Sequence, residues 1–96
     1  MSNNYKLTWE QVKAKYQIGE YVEGIIAFKQ PFGDFIDIGL EFKVLLEIIV
    51  IKDLTPEVYR AGNYNAIGTT VGGWIVDFTD DNQQIRISQK KENAEV

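Results

Sequence analysis

The stretch "PFGDFIDIG", Pro31 to Gly39, decides how this chain is read. Pro31 and Gly33 punctuate a turn, and "DFIDIG" after it alternates in the manner of a β-strand. Side chains in a strand alternate faces, so Ile36 and Ile38 share one face while Phe35 shares the other with the charged Asp37. Phe35 is therefore expected on the wet side, with Phe32 just across Gly33 from it. Two rings so placed either bind something or are covered by the protein's own loops.

Upstream, the first element reads as a short helix. Thr8 and Gln11 have capping-box spacing, Leu7 and Val12 sit where a hydrophobic staple places them, and Trp9, Val12 and Tyr16 follow a helical stripe. Gly19 is the expected stop. Such an amphipathic helix reads as a plug for one end of the domain rather than as a binding helix. After Gly19 the period becomes alternating: "EYVEGIIAF", Glu20 to Phe28, is strand one, with Val22 and Ile26 inward and Gly24 at a bulge or tight bend.

Downstream of strand two, "KVLLEIIVI", Lys43 to Ile51, reads as strand three, with Val44, Leu46 and Ile48 on one face and Leu45, Glu47 and Ile49 on the other. So apolar a strand is expected to be covered on much of both faces. In "LTPEVYRAG", Thr55 is a candidate N-cap, Pro56 the first helical residue and Gly62 the stop, giving a short helix inside a long crossover. "VGGWIVDF", Val71 to Phe78, is strand four. The turn "TDDNQ" leads to strand five, "QIRIS", with Ile85 and Ile87 inward and Arg86 outward. The last residues read as a frayed, disordered tail.

The chain has 96 residues, 45% of them apolar and 25% charged, which is the size and composition of one ordinary globular domain. With neither Cys nor His, thiol and imidazole nucleophiles, imidazole bases and the zinc sites built from those ligands are excluded. No carboxylate pair of recognisable spacing replaces them, so an enzyme is not expected. The polar start "MSNNYKLTWEQ" and the lack of a membrane-length apolar run lead to the expectation of a cytoplasmic protein without a membrane partner. A net charge of −4 argues against tight, charge-driven binding of nucleic acid. The acidic run Asp77 to Asn82 lacks the glycine and the closing glutamate of an EF-hand loop, and "GTTVGG" has neither the lysine nor the following helix of a phosphate loop. Neither a metal nor a cofactor is expected.

Five short strands with a helical insertion between the third and fourth match the Greek-key barrel of the OB fold, an all-β architecture, although strand spacing alone leaves other small β folds open. The motifs go further. Gly19 with Gly24, then "FGDFIDIG", "VLLEII", "IGTTVGGWIV" and "IRISQK" resemble, in order and spacing, the S1 domain, the RNA-binding repeat of the large ribosomal small-subunit protein and of several ribonucleases. The resemblance covers about Gly19 to Lys90. It implies a helical extension over 1–18, an S1-like OB-fold domain over 19–90 and a tail over 91–96.

The resemblance also implies an RNA-binding face built from two aromatics of strand two, a histidine of strand three, an acid at the end of strand four and a base of strand five. Residue by residue, the aromatics fall on Phe32 and Phe35, which are kept. The histidine position falls on Glu47, the acidic one on or near Thr79, and the basic one on Gln84, with Arg86 two residues later on the same face. Asp77 or Asp80 is available as the acid and Arg86 as the base. What survives is a stacking platform. Glu47, Asp34 and Asp37 make its surroundings acidic, while Lys29, Lys43 and Arg86 compensate in part, so the face is mixed rather than positive.

Two functions follow. One is a non-catalytic module that binds single-stranded RNA weakly, Phe32 and Phe35 stacking bases and Arg86 meeting phosphate. The other is a protein interaction module that keeps the fold and has lost the RNA site, presenting the aromatic face or Leu45 on strand three to a protein partner or a second copy. Arg86 also has a plainer role open to it, as the partner of Glu47. Trp74, outward between Gly73 and Ile75, either extends the aromatic surface or packs on Tyr59 or Tyr64 of the crossover, and the area an indole gains by burial favours packing.

Overall fold

The structure, a computed structural model, describes residues 6–62 and 64–90. The tail expected at 91–96 and the first five residues of the helical extension lie outside the described residues. In chain order the elements are α1 (Trp9–Lys15), β1 (Tyr21–Gln30), β2 (Gly33–Asp37), β3 (Lys43–Glu47), a 3₁₀ turn (Ile48–Val50), α2 (Pro56–Ala61), β4 (Thr70–Thr79) and β5 (Gln84–Ser88). The strands close a barrel in the order β1-β2-β3-β5-β4. All neighbours are antiparallel except β3 and β5. This is the OB fold that strand count and motifs pointed to.

Both helices begin as their caps dictate. Thr8 accepts from the Gln11 amide and Gln11 reaches back to the Thr8 amide, the full capping box. Thr55 caps α2, Pro56 follows it, and Gly62 ends the helix in the left-handed region at φ 76°. The stop of α1 comes earlier than the expected Gly19. The helix ends at Lys15 because Tyr16 turns extended, and Gly19, at φ 95°, instead docks the following turn by donating to the Ile75 carbonyl at 2.7 Å.

Alternation fills the barrel. Val22, Ile26, Ile36, Val44, Leu46, Ile75, Ile85 and Ile87 point inward, and Trp9, Val12 and Ile51 join them. Each aliphatic side chain so buried contributes about 1.5 to 3 kcal/mol. α1 plugs one end, its Trp9 ring lying 5.2 Å from Phe42 and 6.1 Å from Phe78. Tyr64 of the crossover also packs against the core. Gly24 stands where β1 passes from pairing with β4 to pairing with β2, and a Cβ there would collide with the Asp37 carbonyl oxygen. The close approach explains the glycine. The bulge lies further on, between Ile26 and Phe28.

β3 is shorter than the expected Lys43 to Ile51. Ile48 donates to the Phe32 carbonyl as the last rung, and beyond it β2 offers no partner because the chain has already turned at Pro31. The backbone coils into the 3₁₀ turn, which leaves Ile49 71% exposed and tucks Ile51 into the core. The part of β3 that remains is covered on both faces: Val44, Leu45 and Leu46 are all buried.

Candidate nucleic-acid interface

The strand registers bring one row of outward side chains around the barrel. Phe28 of β1 is opposite Phe35 of β2, Phe35 is opposite Leu45 of β3, Leu45 is beside Arg86 of β5, and Arg86 faces Asp77 of β4. Two residues along β3 and β5, Lys43 pairs with Gln84; in the other direction, Glu47 is opposite Gly33. All six candidate residues, Phe32, Phe35, Lys43, Glu47, Gln84 and Arg86, thus lie on one continuous surface.

Phe35 does not project freely into water as expected. It is 7% exposed, and neither it nor the equally buried Leu45 belongs to the barrel core. The two sit under a small outer cluster of their own. Phe28 packs on Phe35 at 4.9 Å, and Phe32 meets it edge-on at 6.0 Å and 86°. The neighbouring rings Phe28 and Phe32 thus contribute to its cover. Phe32 at 51% and Phe28 at 39% exposure carry the open ring surface. Above them Lys43 holds its ammonium 5.3 Å from the Phe35 ring and 5.9 Å from Phe28, a cation–π arrangement in which Lys43 has no carboxylate partner among the described residues.

Phe28 is absent from the residues that sequence reasoning selects. Strict alternation would send it inward with Val22 and Ile26; the bulge after Ile26 turns it out. Only the register against Phe35 reveals its place.

No family model matches the chain. It is 25% identical over 83 residues to the small ribosomal subunit protein bS1 of Helicobacter pylori strain 26695, and 24% identical to the bS1 of strain J99. The match takes in 86% of this chain but 15% of that protein's length. Two solved structures share the architecture. GSP13 from Bacillus subtilis superposes with a TM-score of 0.63 over 84% of this chain and 61% of its own, at 16% identity. MJ1198 from Methanocaldococcus jannaschii does so at 0.60 over 76% of this chain and 90% of its own, at 18% identity.

The chain resembles bS1 in sequence and shares the OB fold of both solved structures.

In this barrel the charged residues around the rings are disposed differently from the expectation. Asp34 does not add to the acidity of the face: it is on the inward side of β2, fully buried, and held by Lys29 at 2.9 Å and Asn65 at 3.1 Å. Lys29 is withdrawn with it. Its ammonium also donates to the Tyr64 and Asn65 carbonyls and stands 3.8 Å from the centre of the Tyr64 ring. Burial, reinforced by the Asp34 charge, pushes the Tyr64 phenol up. Asp37 turns to its own loop and accepts from the Gly39 amide.

Arg86 takes the plainer of its two roles. Its guanidinium donates to Glu47 at 3.1 Å and to Asp77 at 3.3 Å, and its Nε is buried without a partner. Asp80, the other candidate acid, is drawn to α1, where it accepts from the Trp9 indole at 2.8 Å and from Lys13 at 2.7 Å. Gln84 is engaged at the β4–β5 turn, its backbone carbonyl accepting from the Thr79 hydroxyl and its side-chain oxygen from Asn82 at 3.5 Å. Trp74 packs, though not on the crossover: its partner is Tyr21, edge-on at 5.1 Å. Gly72 makes room for that pair, since a Cβ there would meet the Tyr21 hydroxyl at 2.5 Å. Among the described residues no helix is long and apolar enough to cross a membrane.

Proposed function

We propose that this S1-like domain is a non-catalytic module that binds single-stranded RNA weakly, stacking bases on Phe32 and Phe28 over the buried Phe35 and steering the backbone past Lys43. The observation that carries this reading is the three-ring cluster with an ammonium held over it. Flat π-faces accept any base and the adjacent cation suits phosphate, which is the pairing single-strand binders use. The likeness to bS1, a protein of the small ribosomal subunit, supports the same reading. A bare apolar face would suit a protein partner equally well; the cation favours the polyanion.

The magnitudes make the binding weak. Stacking is worth about 1 to 3 kcal/mol per base, so two open rings supply about 2 to 6 kcal/mol, a Kd between tens of millimolar and tens of micromolar. Arg86 adds little while two carboxylates hold it, and a net charge of −4 opposes approach.

Phe32→Ala is the informative variant, because Phe32 is half exposed and its removal leaves the barrel core intact. Titration of a short labelled single-stranded RNA at low salt should show the variant about tenfold weaker than the parent. Equal affinity would refute the stacking role.

A further inference from the structure

We propose that Glu47 gives this surface a preference for guanine, its carboxylate accepting hydrogen bonds from the Watson–Crick edge of a base stacked on the neighbouring rings. The inference rests on the stacking role proposed above and adds base selection to it. Three observations support it. Glu47 is directly opposite Gly33, between the two phenylalanines of the "FGDF" turn and strand, and Gly33 places no side chain in the way. Ile48 donates to the Phe32 backbone carbonyl at 3.0 Å, which holds the end of β3 beside the backbone that carries the open ring. Phe35 is the diagonal cross-strand neighbour of Glu47, within reach of a flat base lying over the cluster.

The carboxylate is also held in place. Oε1 accepts from Arg86, which Asp77 steadies from the far side, while Oε2 has no partner among the described residues. The Glu47 side chain keeps 34% of its surface open. A carboxylate only accepts. Guanine offers it two adjacent donors, the ring N1–H and the exocyclic N2–H₂. Adenine and cytosine offer one exocyclic amine each, and uracil offers one ring N–H set between two carbonyl oxygens that the carboxylate repels. The order expected is therefore guanine first and uracil last.

The charge pattern of β3 fits such a pose. Lys43, Leu45 and Glu47 share the outward face, so a cation stands at one end for the sugar–phosphate backbone and an acceptor at the other for the base edge. Glu47 then repels no phosphate, because the backbone passes over Lys43.

The test is a set of affinities at low salt for hexauridylate and for hexamers carrying one central guanosine or inosine. Guanosine should bind about tenfold tighter than uridine, with inosine, which lacks the 2-amino group, in between. Glu47→Gln should bring the guanosine-to-uridine ratio close to one. Asp77→Asn, which also loosens Arg86 but keeps the acceptor, should preserve the ratio. A ratio of one in the parent, or a ratio that survives Glu47→Gln, overturns the proposal. If every hexamer binds alike and binding still depends on Phe32, guanine selection fails and stacking stands; if no hexamer binds, both fail.

Discussion

Asp34 illustrates how one strand register decides what a charge does. Sequence places it between two phenylalanines in a solvent-side motif, yet the alternation that turns Phe35 outward turns Asp34 in, where it is wholly buried beside Lys29 and Asn65. All three donors of the ammonium are used, on Asp34 and on the Tyr64 and Asn65 carbonyls. The network staples the crossover to the end of the barrel. Asp34→Ala would leave a largely buried cation without its counter-charge, and urea denaturation should show a loss of about 3 kcal/mol. A change within about 0.5 kcal/mol, the range of an ordinary surface substitution, would mean that the pair is not structural. Phe28 makes the same point in reverse: its outward position depends on a bulge that no local pattern announces, and so the third ring of the platform was invisible in the sequence.

At the level of elements, the two helices were legible because their caps are local signals: Thr8 with Gln11, and Thr55, Pro56 and Gly62, act over a few residues. What α1 holds on to was not legible, since Asp80 lies 71 residues from Trp9. Lys13 and Trp9 together hold the Asp80 carboxyl below the usual carboxylate range, and Asp80 in turn raises Lys13. The depressed Asp80 contributes stability that is present above its unfolded pKa and lost as pH falls through its folded one. The raised Lys13 contributes stability that is present below its unfolded pKa and lost as pH rises through its folded one. Asp80 is solvent-exposed and Lys13 half-buried at the surface, so the effect is local. The Trp9 indole N–H resonance should move as the solution is acidified through the Asp80 titration, and Asp80→Asn should abolish that movement. An unchanged acid titration in the variant would assign it to another group. β3 shows the limit of pattern reading: its apolar run continues to Ile51, but the strand ends at Glu47 where its partner ends.

For the whole molecule, the barrel was readable because five alternating runs and their turns agree with one another. The fate of the charges was not, because it is set by non-local pairing, above all the parallel contact of β3 with β5 that brings Arg86 to Glu47. The outcome is an acidic protein with a small cationic spot over aromatic rings. One phosphate contact through Lys43 predicts that log K for RNA falls with log salt no more steeply than about −0.7. A slope twice that would mean that Arg86 leaves its carboxylates to engage the strand. The most direct test is to map the backbone amides of the labelled protein during titration with a short single-stranded RNA at low salt. Shifts concentrated at Phe28, Phe32 to Phe35 and Lys43 to Glu47 are the predicted result. Unmoved amides there, or shifts confined to the apolar surface around Ile49 and Tyr59, would contradict the account.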